Sequence, residues 1–449
     1  MSHPYIPLTP ADEKTMLETC GLTSVDQLFA CIPESIRSAF RGDGLPPRPL
    51  SEDAVVRELS RLAAANTGTD RQVSFLGGGA YDHYVPNLIR SILFRSEFAT
   101  AYTPYQPEVS QGTLQAIFEF QTLICNLTGL DVANASMYDG ATAAAEAALM
   151  GCGASGRDRV LVSAGVNPRY RDVIGTYLKA TDREATRVDL EPIGRTSGAA
   201  IGGADVAALI VGYPNYFGLV EDLAALRKQL DKKALLVVVA NPIALGLFAA
   251  PGALGADVVV GEGMSMGVGL NYGGPGLGFM AVREALMRRI PGRLVGLARD
   301  HEGRVGYVLT LQAREQHIRR ARAASNICTN QALAALAATI YMSTLGKSGM
   351  GQLAKLNYHK AHHAFRALCA IEGVRPVFSA PFFNEFAVRL PKNPVEVLRQ
   401  LEEKDGIAGG LALGSEHPGL QDAVLIAVTE RRTREEIGRL AAGVRRSVS

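Results

Sequence analysis

The chain has 449 residues, of which 47% are hydrophobic, so it is long enough for a sizeable core and two or three domains. Its 46 lysines and arginines balance 44 aspartates and glutamates, which excludes nucleic-acid binding through bulk electrostatics. No run approaches the ~20 apolar residues that span a bilayer, and we expect no membrane association. Six widely spaced cysteines without a CxxC pair indicate free, mostly buried thiols in a reducing compartment, and residues 1–10 lack the pattern of an export signal. We therefore expect a cytoplasmic protein.

Residues 1–85 are predicted to form an N-terminal arm. Helical patterns at 11–20 and 51–65 lie on either side of a proline-rich link, LPPRP, at 45–49. Pro33 and the glycines at 42 and 44 interrupt the arm further.

The region 86–310 is predicted to be a large α/β domain. Apolar strands alternate here with amphipathic stretches, of which 169–180 and 220–232 are predicted helices. Continuous apolar strands separated by helices are typical of a mostly parallel sheet that is covered on both faces. The predicted strands are 159–163, 207–214, 234–241, 257–261 and 278–282.

From residue 311 the pattern changes to a helical connector and a small α+β domain that ends at 449. The connector is predicted as one long helix from Leu311 to about Leu345 and a second over 350–371. The small domain has predicted strands at 374–378, 384–390 and 423–428, and predicted helices at 394–404 and 434–446.

The start of a predicted helix at 138–146, YDGATAAAE, is a candidate anion site. Free N–H groups at Gly140, Ala141 and Thr142 suit a phosphate, and Asp139 or Thr142 can cap the helix. An ordinary capped helix is the alternative, and the frequency of such caps favours it.

Three further patterns give weaker evidence of a functional site. GCGASG at 151–156 matches GxGxxG, but it follows a helix and precedes a strand, so we interpret it as a helix end and not as a dinucleotide site. His359, His362 and His363 share helical spacing without the companions of a metal site, so we expect a solvated helix face and no metal. The arginines of 314–322 are likewise interpreted as a solvated helix face rather than as a surface for an acidic partner.

Four long motifs occur in one order along the chain: FLGGGAYDHYVP at 75–86, the stretch that begins YTPYQPE at 102–149, SNICTNQ at 325–331 and TERRTREEI at 429–437. Together they resemble the glycine cleavage system P-protein over nearly the whole length, in particular subunit 1 of its two-subunit bacterial form. The resemblance implies a fold-type I PLP-dependent transferase-like α/β fold, with a mainly parallel central sheet and a smaller α+β C-terminal domain.

The resemblance also implies the chemistry. The family decarboxylates glycine on pyridoxal phosphate (PLP) and passes the aminomethyl group to the lipoyl arm of the H-protein. Its Schiff-base lysine precedes a glycine-rich turn, here GGPG at 273–276, but 261–278 contains no lysine and Met264 stands near that position. Val238 stands where the catalytic half has an aspartate for the pyridine nitrogen. We therefore expect PLP on a partner, subunit 2, in a heterotetramer, and only a vestigial phosphate cup at Gly140, Ala141 and Thr142.

The loop 101–112, AYTPYQPEVSQG, is the candidate for direct contact with substrate. Polar aromatic residues and one carboxylate on a path stiffened by two prolines suit a small zwitterion such as glycine. The predicted pocket residues are Tyr102, Tyr105, Gln106, Glu108 and, less strongly, His83. The alternative is a surface loop that packs its tyrosines.

Two other functions remain open at this point. The chain could be a non-catalytic scaffold or regulatory subunit, which has no use for an acid and two tyrosines on a stiff loop. It could also be a self-sufficient PLP enzyme with another lysine, for which Lys360 in the C-terminal region is the candidate.

Overall fold

The computed structural model describes residue 5 and residues 7–40, 49–199 and 201–449. The chain divides into two compact units, Met1–Thr67 (the N-terminal unit) and Gly68–Ser449 (the main unit). The boundaries predicted at 85 and 310 stay predictions. Residues 45–48 of the proline-rich link lie outside the described residues.

The N-terminal unit consists of α1 (Pro10–Thr19), α2 (Glu34–Arg37) and α3 (Glu52–Ala64), and no residue of these three helices is buried. Ser51 caps α3 by accepting a hydrogen bond from the N–H of Ala54 at 3.3 Å. Val55, Leu59 and Leu62 recur at helical spacing on α3 and are all exposed. The two predicted helices are confirmed, but their apolar residues have no core of their own.

The main unit contains ten helices and fifteen strands within its described residues. The helices are α4 (Asn87–Leu93), α5 (Ser96–Ala99), α6 (Gln111–Thr128), α7 (Gly140–Ser155), α8 (Pro168–Lys179), α9 (Leu223–Gln229), α10 (Gln316–Arg319), α11 (Ala332–Cys369), α12 (Pro394–Asp405) and α13 (Arg434–Val448). The strands are β1 (Val73–Ser74), β2 (Val132–Ala133), β3 (Arg159–Ser163), β4 (Ala185–Val188), β5 (Val206–Tyr213), β6 (Leu235–Ala240), β7 (Val258–Glu262), β8 (Gly278–Val282), β9 (Leu294–Arg299), β10 (Val305–Thr310), β11 (Arg375–Pro376), β12 (Glu385–Arg389), β13 (Ile407–Ala408), β14 (Leu411–Ala412) and β15 (Ala423–Ala427).

A seven-stranded sheet in the order β2-β8-β7-β6-β5-β3-β4 organises the larger part of this unit. Five strands run parallel to one another, namely β3, β4, β5, β6 and β7, whereas β8 and β2 are antiparallel to their neighbours. All five strands predicted for this region are present within two residues of their predicted ends. The prediction of a mainly parallel sheet is therefore confirmed.

Both faces of the sheet are covered, as its apolar strands require. Every residue of β5 is buried. On one face the side chains of Leu209 and Val211 join a core with residues of α4, α6, α9 and α11. On the other face Ile210 joins a core built with α7 and α8. Strands buried on both faces read as continuous hydrophobic runs, which is why they were visible in the sequence.

The C-terminal part of the main unit is built on an antiparallel sheet in the order β11-β12-β15-β14. Val388 and Leu425 of this sheet pack in one core with Leu401 of α12 and Leu440 of α13. The predicted strands and helices of the small α+β region are confirmed with small shifts at their ends.

The predicted helical connector is wrong in its first half. Leu311 has a φ of +52° and is followed only by short helical turns, and the long helix α11 begins at Ala332. Where a gap between two helices was predicted, α11 has a kink at Gly346. The φ of this residue is +60°, a conformation that glycine adopts readily. Arg314 is not on a solvated helix face, because its guanidinium is largely buried and donates to the carbonyl of Ile290.

Two smaller expectations also change. The six cysteines are free as predicted, but only Cys152 is buried, and Cys20, Cys31 and Cys328 are exposed. His362 is not on a solvated face, since its ring stacks on Phe382 at 4.0 Å between centroids.

Within the described residues, no helix is both long enough and apolar enough to cross a membrane.

Asp257, just before β7, anchors the sheet through a buried ion pair. Its side chain is 3% exposed, accepts a hydrogen bond from the N–H of Leu236 at 2.7 Å, and contacts Arg227 at 3.1 Å and also Arg283. Burial raises the pKa of Asp257, and these donors oppose that rise. Removing the carboxylate leaves a largely buried Arg227 without its partner.

We therefore expect Asp257→Ala to lower the free energy of unfolding by about 3–5 kcal/mol, measured by urea denaturation. Asp205→Ala is the control, because Asp205 pairs with Arg159 at 3.3 Å in solvent and its loss should leave the denaturation midpoint unchanged. Equal midpoints for the two variants would contradict the assigned role of Asp257.

Candidate functional site

A cavity of about 90 Å³ lies beyond the carboxyl ends of β3, β5, β6 and β7. Ligand sites of open α/β sheets occur at this edge because the loops after successive parallel strands meet there. The segment 79–85, near the start of the main unit in sequence, forms another wall of the cavity. The polar residues that line it are Tyr81, His83, Asn167, Tyr170, Asn215, Tyr216, Asn241, Glu262 and Ser265.

The helix α7 starts beside this cavity, and the N–H groups of Gly140 and Thr142 at its start already donate to carboxylates. Asp139 accepts from the N–H of Thr142 at 2.8 Å, and Thr142 in turn accepts from the N–H of Asp139 at 3.3 Å. Glu262 accepts from the N–H of Gly140 at 3.0 Å. Asp139 therefore caps α7, as the sequence suggested, and Glu262 is a second carboxylate that the sequence did not reveal.

Glu262 is held by two more backbone donors. Its other oxygen accepts from the N–H of Met264 at 3.0 Å and from the N–H of Leu277 at 2.7 Å. Burial raises the pKa of Glu262, while these three backbone bonds oppose the rise. One buried carboxylate therefore joins the end of β7, the start of α7 and the residue before β8.

The residues around this cavity do not fit pyridoxal phosphate. The side chain of Met264 borders the cavity, and none of the described residues lining it is a lysine or an arginine. A thioether cannot form an imine, and a phosphate at the start of α7 would meet the carboxylates of Asp139 and Glu262. At the end of β6, Val239 borders the cavity and Val238 lies in the core on the opposite face, so the strand offers no carboxylate there.

His83 is the predicted pocket residue that the structure places at this cavity. Its Nδ1 lies 2.8 Å from Glu430, and the two side chains are 3% and 11% exposed. Burial alone would raise the pKa of Glu430, but the hydrogen bond and charge of His83 outweigh it and hold that pKa at about 2. The Nε2 atom of His83 is buried and has no hydrogen-bond partner among the described residues.

Two of the four sequence motifs, 75–86 and 429–437, meet beside the cavity. Asp82 receives hydrogen bonds from Arg431 at 2.5 Å and Arg432 at 3.0 Å, and its carbonyl accepts from the hydroxyl of Thr429 at 2.7 Å. The segments 75–86 and 429–437 are therefore tied together by the residues on each side of the His83–Glu430 pair.

Tyr81 and Glu385 form a second buried pair beside the cavity. The hydroxyl of Tyr81 donates to Glu385 at 2.8 Å, and the N–H of Gly78 donates to the other oxygen at 2.6 Å. A Cβ at Gly77 would collide with this carboxylate, so the glycine run serves close packing, one of the two roles expected for it. Burial raises the pKa of Glu385 to about 7 despite these two hydrogen bonds.

The other four predicted pocket residues do not border the cavity of this chain. Tyr102, Gln106 and Glu108 are exposed, and Glu108 lies in a single helical turn, Pro107–Val109. Tyr105 is half exposed, and its hydroxyl accepts a hydrogen bond from Arg293 at 3.2 Å. Their contact with a shared active site stays a prediction.

Arg293 is a residue that sequence reasoning missed. It is 3% exposed and donates to the carbonyl of Cys328 at 2.7 Å and to the hydroxyl of Thr329 at 3.1 Å, besides Tyr105. The arginine thereby joins the loop 101–112 to the SNICTNQ motif. A lone arginine before a strand gives no sequence signal of such a role.

The raised pKa of Glu385 predicts a pH-dependent stability. The folded chain binds this proton more tightly than the unfolded chain, whose carboxyl has the ordinary pKa of 4.5. The contribution is fully present below about pH 4.5 and is lost as the pH rises to about 7, by about 3 kcal/mol in total. We expect Glu385→Gln, measured by urea unfolding at about pH 5 and about pH 8, to remove this difference. An unchanged difference in the variant would contradict the assignment.

Solved structures of two kinds match this fold. The chain matches an inhibitor-bound glycine decarboxylase (P-protein) of the glycine cleavage system with a TM-score of 0.87 and 43% identity, covering 99% of this chain and 100% of that chain. A NifS-like protein matches with a TM-score of 0.62 and 12% identity over 84% of this chain and 98% of that chain, which is a likeness of fold alone. The chain has the fold of the fold-type I PLP-dependent enzymes, and the predicted fold class is confirmed.

Sequence relatives agree with the structural match. The chain is 53% identical over 445 residues to the probable glycine dehydrogenase (decarboxylating) subunit 1 of Moorella thermoacetica, covering 98% of this chain and 99% of that protein. It is 51% identical over 444 residues to the protein of the same name from Anoxybacillus flavithermus, with 98% of each covered. The model of the glycine cleavage system P-protein family matches residues 3–443. The chain belongs to the glycine cleavage system P-protein family.

Proposed function

We propose that this chain is the lysine-lacking subunit of a heteromeric glycine decarboxylase and acts with a second subunit that holds PLP. The assembled enzyme, glycine dehydrogenase (aminomethyl-transferring), decarboxylates glycine and transfers the aminomethyl group to the lipoyl arm of the H-protein. PLP supplies an electron sink for the decarboxylation when it is bound by the partner. The proposal rests on the family and on relatives that are named as subunit 1.

The cavity at the end of β7 is the observation that supports assigning PLP to the second subunit. It has Met264 in place of an amine and the Glu262 carboxylate at the start of α7, so this chain's own site suits neither the aldehyde nor the phosphate of the cofactor. A chain of this family with such a site needs a partner that supplies the lysine. We propose an assembly of two copies of each subunit in the cytoplasm.

The surface available to a partner is the second support. The N-terminal unit leaves thirteen large hydrophobic side chains exposed among residues 7–40 and 49–67: Leu8, Met16, Val25, Leu28, Phe29, Ile32, Ile36, Phe40, Leu50, Val55, Val56, Leu59 and Leu62. Apolar surface on this scale in a monomer marks an interaction site. A second subunit that covers it would form an obligate, core-like interface.

The loop 101–112 is the part of this chain that we assign to the partner's active site. Glu108 and Tyr102 project into solvent, while Arg293 fixes Tyr105 from beneath. The loop is also anchored at Gln111, whose side-chain amide donates to the carbonyl of Tyr307 and accepts from its N–H, both at 2.9 Å, and it presents an acid and an exposed ring outward. Such a surface can complete a pocket on another chain by binding the ammonium group of glycine and by excluding water.

Glu108→Gln should lower kcat/KM for glycine by about tenfold or more in the assembled enzyme, because the amide cannot pair with an ammonium group or accept its proton. Glycine–bicarbonate exchange measures this. Glu119→Gln on α6 is the matched control, because Glu119 is also exposed but lies outside the loop. Unchanged kinetics for Glu108→Gln in a fully assembled complex would leave the loop a surface feature and favour the scaffold alternative.

The partner should also stabilise this chain. A subunit that binds only the folded state raises its stability by mass action, so co-expressed chains should elute as one complex with a higher melting temperature than this chain alone. Thermal unfolding and light scattering measure both quantities. A stable monomer whose melting temperature does not move when subunit 2 is added would contradict a shared active site.

A further inference from the structure

The cavity beyond β7 contains two buried polar atoms without partners. They are Nε2 of His83 and Oγ of Ser265, and both residues line the cavity. His83 is only 6% exposed, and its Nδ1 is already engaged by Glu430, so the ring is fixed with Nε2 as its free atom. Buried polar atoms normally have a partner, and two in one cavity indicate a ligand.

The charge of the cavity narrows the chemistry of that ligand. Among the described residues of the lining, Glu262 is the only carboxylate, and no lysine or arginine faces it. Glu262 accepts three backbone hydrogen bonds, whereas an ionised carboxylate has about four acceptor sites. One acceptor site is therefore left for a donor from the cavity, and no lysine or arginine of the described lining competes for it.

The same carboxylate closes the site to phosphate. The N-terminus of a sixteen-residue helix such as α7 would ordinarily attract an anion. Here the N–H of Gly140 donates to Glu262 and the N–H of Thr142 donates to Asp139. A phosphate would have to displace one carboxylate and lie beside the other. Glu262 thus occupies the anion position from within the chain.

We propose that this cavity is a binding site for a small molecule that carries a protonated amino group and no phosphate. Its ammonium group binds the free acceptor site of Glu262, and a second polar group of the same molecule bonds to Nε2 of His83 or to the hydroxyl of Ser265. This site is separate from the proposed glycine site on the partner subunit and does not depend on the proposed function.

The test compares two probes that differ only by a phosphate, ethanolammonium and phosphoethanolamine, on the purified full chain. Titration calorimetry, with ligand-observed NMR for weak binding, gives the two dissociation constants. We expect ethanolammonium to bind at least tenfold more tightly than phosphoethanolamine. No binding of ethanolammonium, or equal binding of the two probes, would overturn the proposal.

Variants then locate the site. Glu262→Gln and His83→Gln should each weaken ethanolammonium binding, by tenfold or more for Glu262→Gln. Glu146→Gln is the matched control, because Glu146 is also buried but bonds to Ser325 and does not line this cavity. Binding by Glu262→Gln at the strength of the control would place the ligand elsewhere and overturn the assignment.

Ser265→Ala keeps the test decisive if a charged-site variant fails to fold. The hydroxyl of Ser265 has no internal partner, so its removal breaks no hydrogen bond of the described chain. We expect this variant to unfold at the wild-type temperature and to bind ethanolammonium about threefold more weakly. Unchanged ethanolammonium binding by both Ser265→Ala and His83→Gln would place the ligand outside this cavity and overturn the proposal.

Discussion

The hydrogen bonds of Glu262 are the constraint on which the site depends. One buried carboxylate accepts from the start of α7, from Met264 just after β7 and from Leu277 just before β8. These three segments meet at the carboxyl edge of the sheet, where related folds place their ligands. Glu262 accepts hydrogen bonds from the backbone N–H groups of these segments and so stabilises the edge without a cofactor. It also occupies an N–H group at the start of α7 that could otherwise bind an anion. The same interaction that completes this edge of the sheet therefore places a carboxylate at the start of α7, where the phosphate of PLP would have to bind.

A second set of contacts connects this edge to the C-terminal part of the main unit. Asp82 binds Arg431 and Arg432, and His83 binds Glu430, so residues more than 300 positions apart share one buried polar cluster. Such a network is costly to leave half satisfied, which fixes the segment 75–86 against β12 and the turn after β15. The segment in turn closes the cavity, so the packing of the small α+β region determines the shape of the site.

Much of the fold could be predicted because its strands are buried on both faces. Continuous apolar runs such as β5 and β8 predict the strands of a sheet that is covered on both faces. The prediction of a solvated helix face around Arg314 was wrong. Charged residues at helical spacing usually indicate such a face, but a long-range contact with Ile290 buries this arginine. No local pattern encodes such a contact.

The site was only partly predictable for the same reason. The absence of lysine from 261–278 could be read directly, and so could the cap at Asp139. Glu262 could not be recognised, because a glutamate at a strand end looks like an ordinary surface residue until the fold brings Gly140 beside it. His83 was named as a weak candidate, but its partner Glu430 lies 347 residues away. Roles that depend on such distant partners need the tertiary structure.

We propose that this chain shapes an active site whose cofactor another chain holds. The most direct measurement is borohydride reduction of the co-expressed heteromer with PLP, followed by peptide mass spectrometry of both chains. Borohydride fixes the cofactor to the lysine that carries it, since only an amine forms the imine. We expect the pyridoxyl label on one lysine of the partner and none on this chain. A stoichiometric label on Lys360, or on any other lysine of this chain, would contradict it.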